Sequence, residues 1–167
     1  MLTSSIDFLK HNSDAMAVGC LLETKPQNHR SLIGKGISIV MSSKFGVGGS
    51  KFRTLNETLE SNFIVVDTAP FCCYRRTVFE IIGKYNENLL NSEDLEFHKR
   101  MNIYNLKTYL NTGITNTYYA RSNFWDFIQH CFRNGKWSII PSSISEHDIL
   151  STRHLVSLFV TSCLSLF

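Results

Sequence analysis

The chain has 167 residues, a net charge of +3 and a hydrophobic share of 43%. This length allows one domain with a sizeable core, and the composition argues against a wholly disordered chain. The seventeen lysines and arginines are dispersed along the sequence, so no basic run supports a nucleic-acid-binding surface.

The cysteines indicate the redox environment. There are five of them, an odd number, and Cys72 and Cys73 are adjacent. Adjacent cysteines rarely suit a disulfide or a tetrahedral zinc site. We therefore predict free thiols in a reducing, cytosolic environment. Residues 1–10 show no basic stretch followed by an apolar one, so we expect no secretory signal there.

Apolar periodicity and turn residues divide the chain into short helices and strands. In chain order we predict a helix over Leu2–His11, a buried strand over 15–22, a loop over 25–30, a helix over 31–43, a strand over 63–68, an extended segment over 71–74, a helix over 77–82 that ends at Gly83, a helix over 92–104 that ends before Asn105, strands over 107–110 and 117–119, and a helix over 123–137. Strands that alternate with helices predict an α/β or α+β layer architecture.

A glycine-rich segment, residues 45–53, follows the second predicted helix. Glycine-rich loops cradle phosphates in some proteins, but here the strand-before and helix-after context of such motifs is missing. A flexible loop or a tight crossing of two backbone segments is the favoured interpretation.

The helix predicted over 92–104 begins with three carboxylates, Glu93, Asp94 and Glu96. Acidic side chains in a first turn commonly complement the helix dipole. A carboxylate at the junction of a loop and a helix can also face a pocket and act as a general base. Ser92 is a residue type favoured as an N-cap, and we expect it to cap this helix.

The helix predicted over 123–137 is amphipathic. Its apolar face is formed by Phe124, Phe127, Ile128, Cys131 and Phe132. Arg133 and Lys136 lie among polar residues and are interpreted either as a solvated helix face or as ligands of a phosphate.

The end of the sequence is apolar, since residues 155–167 contain no charged side chain. Thirteen residues are fewer than the roughly 20 that a membrane-spanning helix needs. A buried helix and the first half of a membrane helix are both open interpretations.

Four blocks in order resemble glycosyltransferase family 2, in its bacterial and archaeal branch that builds extracellular polysaccharides such as succinoglycan. The blocks are 44–53; 66–68 with 70–71 and 74–79; 82–87 with 93–96 and Arg100; and Gln129, Arg133, Gly135, Lys136 and Trp137. Residues 151–156 also match, and the resemblance extends over nearly the whole chain. It implies an α/β fold that is the C-terminal half of a GT-A fold, with an incomplete mixed sheet flanked by helices. Residues 1–148 would form its acceptor-side part and residues 149–167 an apolar C-terminal helix.

The resemblance also implies roles for particular residues. Asp94 would be the base that takes the proton of the acceptor hydroxyl, and Glu93 would orient or tune it. The donor diphosphate would lie near Gln129, Arg133 and Trp137. The substrate pocket would include Cys72, Arg75 and Arg76. Cys72 departs from the family pattern, which usually has glycine there and so keeps that place open for substrate.

A second departure concerns the cofactor. The family holds Mg²⁺ or Mn²⁺ with an Asp-x-Asp element, and this sequence contains none. We therefore expect a transferase fragment whose metal ligands lie outside this chain. Its partners would be a nucleotide-sugar donor, a glycan or lipid-linked acceptor, and a separately encoded N-terminal half. It would work at the cytoplasmic face of the cell membrane. The alternative is a non-catalytic remnant or interaction module.

An incomplete sheet has a physical consequence. A sheet that lacks its first strands exposes an edge and an apolar face. Self-association or low solubility is therefore expected unless a partner covers that surface.

Overall fold

The structure is a computed structural model that describes residues 2–44, 46–48, 50–55 and 62–139, with only the backbone described for 137–139. Ten elements follow one another within these residues. They are α1 (Leu2–His11), β1 (Ala15–Pro26), α2 (Leu32–Ser42), α3 (Lys51–Thr54), β2 (Phe63–Val66), β3 (Cys73–Tyr74), α4 (Arg76–Ile82), α5 (Glu93–Ile103), β4 (Lys107–Ala120) and α6 (Phe124–Ile139). The predicted apolar C-terminal helix, residues 149–167, lies outside the described residues.

The four strands form one mixed sheet in the order β2-β4-β1-β3. The long central strands β1 and β4 are parallel, whereas β2 pairs antiparallel with β4 and β3 pairs antiparallel with β1. The chain is thus α/β, with a mixed sheet flanked by helices, as predicted from the alternating elements.

Two strand predictions were wrong. Residues 107–110 and 117–119 belong to one strand, because β4 runs without interruption from Lys107 to Ala120. It contains a bulge, since Asn111 pairs with Cys20 but the next pair joins Thr115 to Leu21. The polar residues at the bulge interrupt the alternation of apolar and polar residues, so the pattern does not predict one continuous strand. In addition, β1 continues to Pro26, because residues 21–26 pair with the second half of β4.

Both faces of the sheet carry apolar cores, because adjacent residues of β1 point to opposite sides. Ala17 packs with Val78, Ile82, Phe97 and Met101 from α4 and α5. Val18 packs on the other side with residues of α1, among them Leu9. The sequence predicts that Leu95, Phe97 and Met101 face inward; Phe97 and Met101 are fully buried, whereas Leu95 is half-buried.

The helix ends agree well with the sequence. Gly83 follows α4 with φ 79° and Asn105 follows α5 with φ 54°, so both take the left-handed conformation expected at those stops. The expected cap at Ser92 was wrong, since Ser92 itself is left-handed (φ 63°) and its side chain makes no capping hydrogen bond. The Asp94 carboxylate instead accepts a hydrogen bond from the Leu95 N–H at 2.8 Å.

The glycine-rich segment makes a close backbone approach at Gly46. A Cβ on Gly46 would lie 2.1 Å from the carbonyl oxygen of Val40 at the end of α2, so no larger residue fits there. The structure therefore agrees with a tight backbone crossing at this point of the segment.

Helices α2 and α6 contact each other and carry large apolar side chains that are exposed. On α2 these are Leu32, Ile33, Ile39 and Val40, and on α6 they are Phe124, Trp125, Ile128 and Phe132. The amphipathic pattern predicted for α6 thus leaves its apolar residues largely on the surface of the described chain. Among the helices that the structure describes, none combines the length and apolarity required to cross a bilayer.

The exposed side chains predict self-association of the purified chain through α2 and α6. Light scattering should give an average mass above the monomer's 19.1 kDa that rises with concentration. Phe132→Glu should weaken the association by at least about tenfold, because burying one phenyl ring stabilises a contact by roughly 1.5–3 kcal/mol. Gln129→Glu on the same helix adds the same charge and serves as the control. A compact monomer at all concentrations would contradict the prediction.

Candidate functional site

The start of α5 presents two of its three carboxylates to solvent. Glu93 and Asp94 are exposed, whereas the Glu96 side chain turns inward and is buried. The split follows from helix geometry, because successive residues are rotated by about 100°. The Ser92 carbonyl accepts the Glu96 N–H at 3.1 Å and closes the first turn. Negative charge at this end is stabilised by the helix dipole.

Glu96 and Arg100 fix α5 in the fold. The Arg100 guanidinium donates to both carboxylate oxygens of Glu96, at 2.7 and 2.9 Å. It also donates to the backbone carbonyls of Ile82 and Lys84, at the end of α4. An arginine that joins a buried carboxylate to a neighbouring backbone segment restricts both. The clamp therefore sets where the α5 N-terminus, and with it Asp94, is placed.

The segment that carries Cys72 crosses the sheet directly over β1. A Cβ at Gly19 would lie 2.4 Å from the Ala69 Cβ and 3.1 Å from the Cys72 sulfur, so glycine is required there. Phe71 precedes Cys72 with φ 50° and a largely exposed ring. A bulky residue in this conformation is strained, and such residues cluster at functional sites.

The Cys72 side chain occupies a place between the sheet and α5. Its sulfur lies 3.2 Å from the Ala69 carbonyl and 3.7 Å from His98 Nε2. Burial, with a smaller contribution from the Asp94 charge, raises the pKa of the Cys72 thiol to about 12. Cys72 is therefore a neutral thiol at physiological pH and unsuited to nucleophilic attack. The four cysteines among the described residues are all free.

Three aromatic residues to which the sequence assigned no functional role, Tyr74, Tyr85 and Phe97, pack together near Cys72 and His98. The Tyr74 hydroxyl oxygen lies 3.1 Å from His98 Nε2. Tyr74 is also hydrogen-bonded to Tyr85. Burial raises the pKa of Tyr85, and the charges of Asp94 and Glu93 also raise it. The centre of the Tyr85 ring lies 4.5 Å from that of the Phe97 ring, with the two rings tilted. The Asp94 charge thus acts on both the Cys72 thiol and the Tyr85 hydroxyl.

His98 itself is fully buried. Its Nδ1 is 3.3 Å from the Thr108 hydroxyl of β4, so the ring connects α5 to the sheet. Burial lowers the pKa of His98 to about 4, which keeps the ring neutral at physiological pH. The sequence did contain a signal for His98, because it follows Asp94 by four residues and shares its side of the helix.

The two arginines of the predicted pocket lie elsewhere. Arg75 donates to the carbonyls of Leu9, Asn12 and Ala15, and therefore joins the end of α1 to the start of β1. Arg76 is almost fully exposed and lies 3.5 Å from Glu80 in an exposed i,i+4 pair. The structure does not bring either guanidinium together with Cys72 and Asp94.

The residues predicted to lie near a donor diphosphate are on α6. Gln129 and Arg133 are exposed one turn apart. Trp137 follows one turn later in the same helix, and its side chain lies outside the described residues. Within the described part of the chain, no three histidine, cysteine, aspartate or glutamate side chains are grouped to hold a metal ion. The Mg²⁺ or Mn²⁺ that the family resemblance implies therefore has no fitting ligand set among these residues.

A shallow cleft of about 430 Å³ lies on the α1 side of the sheet. Ser4, Asp7, Phe8, His11, Asn12 and Phe63 line it. Because α1 and α5 cover opposite faces of the sheet, this cleft is separate from the surroundings of Asp94.

The buried neutral His98 predicts a pH-dependent stability. Its pKa is about 4 in the folded chain and 6.5 when exposed, so the unfolded state binds more protons between these pH values. The free energy of unfolding should therefore fall as pH drops from about 6.5 to 4, by on the order of 3 kcal/mol from this group. Urea titrations of the wild type and of His98→Gln should show a smaller pH slope in the variant. Equal slopes, or a His98 ring that titrates near 6.5 by NMR, would contradict this.

Comparison of the chain with protein-family models, with curated proteins and with solved structures gave no match.

Proposed function

We propose that this chain is the acceptor-side part of a family 2 glycosyltransferase with a GT-A fold. The transferase to which this part belongs transfers a sugar with inversion from a nucleotide-diphospho-sugar to a glycan acceptor in extracellular or cell-surface polysaccharide synthesis. One observation carries the proposal: the exposed carboxylate of Asp94 stands on a helix that the Glu96–Arg100 pair clamps, and its charge raises the pKa of Tyr85 and of Cys72. The four-stranded mixed sheet is compatible with part of such a fold.

The chemistry of the transfer suits a carboxylate at this position. The acceptor oxygen attacks the anomeric carbon and forms the new glycosidic bond. The bond from that carbon to the diphosphate breaks, and its electron pair leaves with the nucleoside diphosphate. Asp94 accepts the proton of the acceptor hydroxyl as the attack proceeds. Glu93, the neighbour of Asp94 in the chain, orients or tunes that carboxylate.

On the donor side, the proposal assigns the diphosphate to Gln129, Arg133 and Trp137 of α6. The planar guanidinium of Arg133 pairs with phosphate oxygens in a two-point contact. A divalent cation would neutralise charge on the leaving diphosphate, and we assign its ligands to no residue of this chain. The exposed aromatic side chains of α6 support work at the cytoplasmic membrane surface.

The exposed apolar surface on α2 and α6 favours a second candidate function. A non-catalytic interaction module would use that surface to bind a partner and would keep Glu93 and Asp94 only as dipole complements. Sugar binding that depends on Asp94 distinguishes the two, because only the transferase needs an acceptor next to this carboxylate.

The acceptor site predicts binding of neutral sugars next to Asp94. In a ¹H–¹⁵N NMR titration of the full chain with glucose, galactose, mannose, cellobiose and lactose, at least one sugar should shift the amides of residues 71–74 and 92–95. Asp94→Asn should lower the affinity for that sugar by about tenfold, since hydrogen bonds to charged groups contribute roughly 1.5–3 kcal/mol. Glu80→Gln, an exposed carboxylate change on α4, should leave the affinity unchanged. Equal affinities in the two variants, or no shifts at these amides, would refute the acceptor site.

The missing Asp-x-Asp predicts low turnover by this chain alone. With UDP-glucose, UDP-galactose or GDP-mannose, Mn²⁺ and a lipid-linked glycan extract, release of nucleoside diphosphate should stay at the rate without protein, because charge on the leaving group is not stabilised. Turnover at an ordinary enzymatic rate, about 1 s⁻¹ or faster, would overturn the fragment interpretation. If such turnover persisted in Asp94→Asn, Asp94 would also be excluded as the base.

A further inference from the structure

Three arginines surround one histidine beside α6. His130 lies in α6, Arg133 is one turn away, Arg121 directly follows β4 and Arg53 belongs to α3. The pKa of His130 is lowered first by burial and then by the charges of Arg121, Arg133 and Arg53. All three arginines therefore lie within electrostatic range of the ring. We call these four residues the α6 basic cluster.

Two polar atoms of the cluster are buried without a hydrogen-bond partner among the described residues: Arg121 Nε and His130 Nδ1. The opposite ring nitrogen, His130 Nε2, lies 3.1 Å from the side-chain nitrogen of Asn134. Because that amide nitrogen donates, Nε2 accepts and the ring proton sits on Nδ1. Both partnerless atoms are thus N–H donors. Buried donors are nearly always satisfied in folded proteins, so these two point to an acceptor that a ligand supplies.

The charge of the cluster is not balanced within the described part of the chain. No carboxylate there lies within ion-pair distance of Arg53, Arg121 or Arg133. Asp126, the acidic residue of α6, is exposed and makes no ion pair with them. Grouped like charges repel, and an anion between them removes that repulsion.

Arg53 is held in place before any ligand arrives. Its guanidinium donates to the Thr24 hydroxyl at 3.0 Å and lies 4.9 Å from the centre of the Tyr118 ring. Burial of this side chain lowers the pKa of Arg53, which nevertheless stays charged. A fixed cation loses little conformational freedom when it binds an anion.

An apolar cluster connects this region to the surroundings of Asp94. Phe52, the neighbour of Arg53, packs against the core cluster of Val66, Ala69 and Leu110, and so does Cys72. Along β1, Thr24 lies five residues beyond Gly19, which the Cys72 segment crosses, or roughly 16 Å in an extended strand. A ligand that carries a sugar and a diphosphate can extend over part of this distance.

We propose that Arg53, Arg121 and His130 form, together with Arg133, a binding site for a phosphate or diphosphate group. The inference deepens the proposed function, and only the assignment of that group to a nucleotide rests on it. The family resemblance assigns Arg133 alone of these residues to a diphosphate. Phosphate oxygens would accept from Arg121 Nε and His130 Nδ1, while the arginines neutralise the charge. The same chemistry is offered by a nucleoside diphosphate and by an anionic lipid headgroup.

The test uses inorganic pyrophosphate, UDP and vesicles of phosphatidylglycerol or phosphatidylcholine with the full chain. Pyrophosphate should bind in calorimetry, and its affinity should fall at least about tenfold in Arg121→Gln and in Arg53→Gln. Lys10→Gln, which removes an exposed positive charge on α1, should keep the wild-type affinity. NMR spectra show whether each variant is folded, and the exposed Arg133→Gln provides a third variant if a buried arginine is needed for folding.

The histidine gives an independent readout. Arg53, Arg121, Arg133 and Asn134 face its ring, so a bound anion should raise the pKa of His130 in the wild type. NMR titration with and without pyrophosphate measures that shift. No binding of pyrophosphate at 10 mM, equal weakening in Lys10→Gln, or an unchanged His130 pKa would each overturn the proposal.

The vesicles identify the source of the phosphate. Pyrophosphate or UDP binding without vesicle binding supports a soluble diphosphate, whereas binding to phosphatidylglycerol that pyrophosphate displaces supports a headgroup. Vesicle binding that neither pyrophosphate nor Arg121→Gln weakens would count against the site. The sugar titration at Asp94 separates this result from the proposed function. Pyrophosphate binding without sugar binding keeps the phosphate site and refutes the transferase, and the reverse keeps the acceptor site alone.

Discussion

The parallel pairing of β1 with β4 is the interaction on which the rest of the structure depends. Its register extends from Ala15 to Pro26, and Ala17, Val18 and Cys20 in its first half are fully buried. Parallel strands need a long crossover connection, and here that connection carries α2 to α5 and the two outer strands. The candidate acceptor site is built on this connection, while the α6 basic cluster forms where β1 and β4 end. One strand pair therefore sets the positions of both sites.

The orientation of α5 follows from a few buried groups. Phe97, His98 and Met101 hold one side of the helix against the sheet, and the Glu96–Arg100 pair ties it to the end of α4. Glu93 and Asp94, in the first turn of the same helix, remain exposed. A buried ion pair contributes little net stability when desolvation is included, but it restricts geometry, which is what a positioned carboxylate requires. The first turn of α5 is therefore the part of the structure that positions the proposed base.

Local signals in the sequence predicted most elements. The apolar runs gave the sheet strands near Ala15 and Phe63, and Gly83 and Asn105 marked helix ends because few other residues adopt a left-handed backbone easily. The single strand β4 escaped prediction because its bulge and polar residues are stabilised by pairing with β1 and β2, which lie far away in sequence. Ser92 was predicted as a cap from its residue type alone. Its left-handed backbone conformation in the folded chain leaves its hydroxyl without a capping hydrogen bond.

The sequence by itself determined the α/β class, the helix that begins with carboxylates and the amphipathic pattern of α6, because each depends on residues that are neighbours along the chain. Only the tertiary structure decided which carboxylate is buried, that Arg75 joins α1 to β1, and that His98, Tyr74 and Tyr85 lie beside Cys72 and Asp94. It also brought Arg53 to Arg121 and His130 across more than sixty residues. Such contacts arise from strand register and helix packing, and these are fixed by burial of the whole core and not by any short segment.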